Sequence, residues 1–198
     1  MNKEGQCDVL YPILNAISPL PQEVWEKAKP YFKTKDLKPG EHLFCVGDKV
    51  EDFYFLILGL ARYYYLTENG KEFNKSFAEK SGHLLSSIVS VSKGEPSPFS
   101  VEILSDFTTL YISYQDFLSL GLQYSEWNRL HLRIFENLIV KKERREADFL
   151  LLNATQRYEK FLNEYSMISH VVPNYHIASY LGITEVALSR IRKKMKLT

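Results

Sequence analysis

The chain has 198 residues, 45% hydrophobic and 14% aromatic, enough apolar side chain for the core of one large or two small domains and too much for wholesale disorder. The uncharged apolar stretch at residues 53–61 is far too short to span a bilayer, and Glu4 and Asp8 argue against a signal peptide, so a cytoplasmic protein with no membrane partner is expected. The net charge of +1 hides an asymmetry: residues 1–140 carry 14 Lys+Arg against 18 Asp+Glu, and the remainder carries 11 against 6. A basic tail behind an acidic front suggests that only the C-terminal part meets a polyanion, although a solvated cationic helix gives the same balance.

The first 33 residues read as helices, with apolar positions at Leu10, Ile13, Leu14 and Ile17. Ser18-Pro19 breaks the pattern, and Pro21 with Glu23 opens a second short helix. From Lys38 to about Tyr114 come short runs of Phe, Tyr, Val and Ile, punctuated at Pro39-Gly40, Gly47-Asp48, Asn69-Gly70, Ser81-Gly82 and Lys93-Gly94. Strands so spaced predict a β-barrel or jelly roll. Asn69-Gly70, between residues 62–66 and 71–77, is the clearest hairpin because both residues tolerate positive φ.

The period changes at Tyr114. Trp127, Leu130, Ile134 and Leu138, then Phe149 and Leu152, recur at three- and four-residue steps on a long helix. Asn153 and Thr155 suggest a break and a new N-cap. So much apolar surface must be buried, either on the chain's own barrel or, the sharper reading, against the same helix of a second subunit.

Residues 173–194 have helix-turn-helix grammar. Ala178 is small where two helices cross, Gly182 supplies the left-handed residue ending the first, and Thr184 caps the second. Ile177, Leu181, Ile183, Leu188 and Ile191 form the small core, so Glu185, Ser189, Arg190 and Lys193 face outward, with Arg192 and Lys194 flanking. Reading DNA needs that division: a guanidinium pairs with guanine O6 and N7, while lysines neutralise phosphates. An ordinary helical hairpin with a cationic end is the bland alternative, but the spacing from Ala178 to Ile191 is more restrictive than that.

The segment 37–48, Leu-Lys-Pro-Gly-Glu-His-Leu-Phe-Cys-Val-Gly-Asp, followed by Tyr54 to Arg62, resembles the opening of a cyclic-nucleotide-binding β-roll. With the long helix and the helix-turn-helix, the whole chain resembles the Crp/Fnr family of bacterial transcription regulators. That resemblance implies an α+β chain in three parts: a β-roll sensor with N-terminal helices over 1–117, a dimerisation helix over 118–152, and a helix-turn-helix over 153–198. It also implies a homodimer on double-stranded DNA, a small-molecule effector, and RNA polymerase as a further partner. The expected DNA-contacting residues are Thr184, Glu185, Ser189, Arg190, Arg192, Lys193 and Lys194; the expected dimer stripe is Trp127, Leu130, Ile134 and Leu138.

Departures from the family pattern bear on the effector. Members that bind cyclic AMP carry Gly-Glu-Leu and then Arg-Ser or Arg-Thr on the phosphate cassette. Here Ser86-Ser87 replace Gly-Glu and Ser97-Pro98 replace Arg-Ser, so the expected pocket residues are Leu85, Ser86, Ser87, Ser97 and Pro98. A buried phosphate without a paired cation is costly, and neither Lys93 nor His83 stands at the matching position. Loss of cyclic AMP binding is expected, with no cofactor and an effector that the sequence does not name. Two cysteines, Cys7 and Cys45, cannot hold an iron–sulfur cluster, and the five histidines show no metal-ligand spacing. His176 is expected to be exposed and Cys45 to be a small core residue on a strand. Val186 stands where the family commonly carries a base-reading Glu, and a β-wing after the last helix is expected to be absent. No nucleophile–base pair, Walker loop or metal helix points to an enzyme. The alternative function is a signalling module that keeps a cyclic nucleotide and regulates a protein partner.

Overall fold

The computed structural model describes residues 2–196. Two helices come first, α1 (Lys3–Ile17) and α2 (Gln22–Ala28), with Asn2 capping α1 by accepting from the Gly5 amide at 3.0 Å. Eight strands follow: β1 (Lys33–Leu37), β2 (His42–Phe44), β3 (Asp52–Leu58), β4 (Ala61–Leu66), β5 (Glu72–Ala78), β6 (Leu84–Leu85), β7 (Ser100–Ile103) and β8 (Phe107–Ser113), with α3 (Ile88–Lys93) between β6 and β7. They form two antiparallel four-stranded sheets, ordered β1-β8-β3-β6 and β2-β7-β4-β5. Leu56, Ala61, Tyr63, Leu85, Val101, Ile103 and Phe107 fill the space between them, so the expected jelly roll is present.

The β4–β5 connection differs from a two-residue hairpin. Thr67 N donates to Lys71 O at 3.0 Å, Gly70 N donates to Thr67 O at 2.9 Å, and of the pair Asn69-Gly70 only Gly70 takes positive φ. Five residues therefore make the loop, and Asn69 serves by hydrogen bonds to its side chain.

After α4 (Tyr114–Gln123) runs the long helix α5 (Ser125–Leu151), then α6 (Ala154–Glu164), α7 (Asn174–Leu181) and α8 (Glu185–Lys194). The boundary at 118 thus falls inside α4, whose Phe117 and Leu120 pack with the roll, and the one at 152–153 falls at the α5–α6 junction. There Asn153 and Gln156 make a reciprocal capping box, at 3.1 and 3.0 Å.

The expected dimer stripe requires correction. Trp127 and Leu130 are fully buried and Ile134 nearly so, in one cluster with Leu10, Leu14, Phe32, Phe53 and Phe117 of the same chain. The Trp127 indole donates to Phe117 O at 3.1 Å. Helical period shows that a stripe is buried, not by what; α1, α2 and the β1-β8-β3-β6 sheet supply the cover. The apolar side chains that α5 leaves exposed along its middle are instead Leu132, Ile139 and Val140. Among the described residues no helix is long and apolar enough to cross a membrane.

Candidate nucleic-acid interface and ligand pocket

The C-terminal helices pack around Tyr158, Phe161, Tyr165, Ile177, Leu181 and Leu188, a cluster that also takes in Leu60 and Phe77 of the roll. Gly182 ends α7 at φ +70°, and the Ile183 amide donates to Ala178 O at 3.0 Å, closing the turn. Thr184 Oγ1 accepts from Ala187 N at 3.2 Å, which fixes the start of α8. With Leu188 buried and Ile191 half-buried, Thr184, Glu185, Val186, Ser189, Arg190, Lys193 and Lys194 stand exposed together.

Arg192 has a partner within the chain. It is half-buried and donates to Asn174 Oδ1 at 2.6 Å, tying α8 to the first residue of α7. Arg190 and Lys194 border a groove whose other side is the first turn of α6, with Asn153, Thr155 and Gln156. Sequence reasoning missed the α6 turn as part of this face, although its Asn-x-x-Gln capping signature was there to be found.

His176 is not exposed. It is 5% accessible, beneath a polar network that joins α7 to the roll. Arg62, buried on β4, pairs with Glu102 and, at 2.6 Å, with Glu72; its Nη1 donates to Asn74 Oδ1 at 2.9 Å. Asn74 Nδ2 donates to His176 O at 2.9 Å, Asn74 N donates to Ser179 Oγ at 2.9 Å, and Ser179 Oγ donates to Glu72 O at 3.3 Å. Burial first, then the Arg62 charge, holds the His176 imidazole down at about 4.

A cavity of about 460 Å³ lies between β4–β5, the segment from β6 into α3, and α5. Of the expected pocket residues only Ser86 and Pro98 line it. Leu85 is core, Ser87 is fully buried with its hydroxyl unpartnered, and Ser97 turns inward to donate to Phe99 O at 2.8 Å. Lys93 does not reach the cavity and His83 does; burial, then Lys141 and Lys80, lowers the His83 imidazole to about 3, so it is neutral there. Leu138, expected in a dimer stripe, lines this cavity too.

Sequence reasoning missed the cations of this cavity: Lys75 on β5 and Lys141, Lys142 and Arg145 on α5. Arg145 also stacks over the Tyr180 ring at 3.6 Å and donates to Tyr180 O at 2.6 Å, so one side chain touches both the cavity and the end of α7. A second link runs through β5. The register slips between Tyr63↔Ser76 and Tyr64↔Asn74, making Lys75 the extra residue of a bulge. The bulge lets Asn74 and Phe77 both serve α7 while Lys75 and Ser76 serve the cavity.

Cys45 is a correction as well: it is exposed in the turn after β2, where partial desolvation and the Asp48 carboxylate push its thiol up, against thiolate chemistry. Among the described residues no group of three or more His, Cys, Asp or Glu side chains is placed to hold a metal.

Comparison with known proteins adds two findings. Residues 34–124 match the family model of the cyclic nucleotide-binding domain. Solved structures share the fold across nearly the whole chain. The c-di-GMP-responsive global regulator CLP of Xanthomonas campestris superposes with a TM-score of 0.70 at 17% identity, covering 89% of this chain and 92% of its own. FixK2 of Bradyrhizobium japonicum gives 0.69 at 18%, covering 84% and 85%. The catabolite activator protein of Thermus thermophilus gives 0.57 at 16%, covering 89% and 84%. No curated protein sequence matches the chain.

Proposed function

We propose that the protein, whose residues 34–124 match the cyclic nucleotide-binding domain model within a chain that shares the fold of Crp/Fnr regulators, is a cytoplasmic DNA-binding transcription regulator whose β-roll cavity receives a small effector. The observation that carries the reading is α8. It is capped by Thr184, anchored by Leu188, and presents Ser189, Arg190, Lys193 and Lys194 to solvent on one side. Arg190 is assigned to a base edge and the lysines to phosphates, since a guanidinium fork has the geometry to read guanine and an ammonium acts as a point charge. Val186, in the place of a family glutamate, offers cytosine no acceptor.

The effector is not cyclic AMP in this reading. Its phosphate and ribose would find Ser97 and Ser87, both buried and turned away, in place of a guanidinium and a carboxylate. Occupancy of the cavity reaches α8 through α7, held from β5 by Asn74 and from α5 by Arg145. The active form is a homodimer, its seam on the outward face of α5. Leu132 and Ile139 lie there exposed at i and i+7, two turns apart.

Selection of binding sites from random duplex DNA tests the function without knowledge of the effector. The expected result is an inverted repeat with half-sites one helical turn apart, about 34 Å. A pool that stays random after repeated rounds, with the folded protein present, overturns it.

A further inference from the structure

At the bulge the Lys75 ammonium is met by aromatic faces in place of a counter-ion. An ammonium group is placed among aromatic rings, its Nζ 3.6 Å from the centroid of Phe99, 5.6 Å from Tyr65 and 6.0 Å from Tyr63. Among the described residues no carboxylate makes an ion pair with Lys75 or with Lys142. The two other cations of the cavity are already engaged, Lys141 with Glu164 at 3.8 Å and Arg145 with the Tyr180 carbonyl at 2.6 Å. Among the described residues Glu146 is the one carboxylate on the lining, against four cations. Ile88, Val89 and Leu138 complete an apolar wall around the rings.

A desolvated cation without a counter-ion, at the side of an apolar chamber, is complementary to a molecule with the opposite division: a small anionic head and a flat or greasy body. We propose that the cavity binds a small organic anion with an aromatic or apolar body, its anionic head held between Lys75 and Lys142. The inference rests on the reading of this cavity as the effector site and names the chemical class of the effector. It also places the anion on the sheet and α5, not on the segment 86–98 where the family's phosphate cassette lies. The depressed state of Lys75, down at about 8 through burial and then the Lys142 charge, agrees with an ammonium awaiting a counter-charge. The groups facing it are Lys142, Glu146, Tyr63, Tyr65 and His83, the last neutral.

The test is titration calorimetry of the full chain with biphenyl-4-carboxylate, its uncharged carboxamide, and phenyl phosphate as the second kind of anionic head. At least one anion is expected to bind saturably, and the carboxamide at least about tenfold more weakly than the carboxylate if carboxylate is the head the site prefers. Lys75→Met should weaken the bound anion by about tenfold or more without lowering the unfolding temperature, and Lys142→Met should weaken it less. At pH 8, binding to the wild type should take up protons as Lys75 regains its charge, visible as a heat that varies with buffer ionisation enthalpy; Lys75→Met should lose that dependence. Carboxamide binding as tight as carboxylate, undiminished binding by Lys75→Met, or no binding of either anion at millimolar concentration overturns the inference. DNA-site selection is read separately, so loss of the anion site and loss of the regulator reading are distinct outcomes.

Discussion

Replacing Asn74 with alanine removes one side chain and breaks two hydrogen bonds, one within the roll and one that holds α7 to it. One is accepted from Arg62 Nη1 and one donated to His176 O, each at 2.9 Å. Asn74 is 5% accessible, so water does not readily replace it. The guanidinium N–H left behind is the expensive loss, about 1–3 kcal/mol for an unsatisfied buried donor. The carbonyl of His176 begins a helix and keeps its intrahelical acceptor role, so its loss is the smaller, about 0.5–1.5 kcal/mol. Together they predict a destabilisation of about 1.5–4.5 kcal/mol, or roughly 3–18 °C in unfolding temperature for a chain of this size. The assay is urea unfolding read by far-UV dichroism and by tryptophan fluorescence. Both tryptophans, Trp25 and Trp127, lie in the cluster between α1, α2, α5 and the β1-β8-β3-β6 sheet, so fluorescence follows that half while dichroism also follows α7 and α8. Hydrogen exchange should show the α7 amides losing protection before those of β3 and β8. An alanine variant within about 0.5 kcal/mol of wild type, the range of an ordinary surface change, refutes the network as a structural tie.

Three further outcomes are expected. Gly59→Ala should cost about 3 kcal/mol or more, because at φ +116° the new Cβ would lie 2.5 Å from Asp106 O and 2.9 Å from Phe107 Cα, backbone that cannot swing aside; Gly47→Ala, with φ +93° but open space, should cost only about 1 kcal/mol by the same denaturation assay. His176 and His83, lowered to about 4 and about 3, bind protons in the unfolded chain before the folded one, so their contribution to stability should be flat above pH 6.5 and decline as pH falls from 6.5 toward 4; His176→Gln should reduce that slope between pH 6.5 and 5, and an unchanged slope would show that His176 is accessible to protons in the native state. Ile139→Glu should convert a dimer to monomer in sedimentation at micromolar concentration, while a wild-type chain that sediments only as monomer rules out the α5 seam.

Elements whose signals are local are legible in the chain itself. Gly182, Thr184 and Leu188 are read within ten residues of one another, and the structure places them as turn, cap and core of one motif. The Asn153 cap is legible for the same reason. What the sequence leaves undecided is non-local. The stripe Trp127–Leu130–Ile134 announces burial, yet its cover comes from residues a hundred positions earlier. Lys75 reads as an ordinary polar strand residue, because a bulge is a relation between two strands and leaves no mark on one. His176, near the start of its helix, gives no hint that β5 will cover it, and Cys45 follows apolar Leu43-Phe44 in a strand that ends one residue sooner than expected. The family cassette points to Ser87 and Ser97 by position, while their side chains turn into the protein.

The central claim is that α8 reads DNA sequence through Arg190, and the direct measurement is site selection from random duplex DNA by wild type, Arg190→Ala and Lys193→Ala at two salt concentrations. Arg190→Ala should lose about 1–3 kcal/mol of discrimination at one base position in each half-site, erasing that column of the selected motif and leaving the others. Lys193→Ala should weaken every sequence alike and make the logarithmic salt slope shallower by about one unit for each phosphate no longer neutralised, with the motif intact. If Arg190→Ala lowers affinity uniformly and the selected motif is unchanged, Arg190 touches only the DNA backbone and the account of α8 is contradicted.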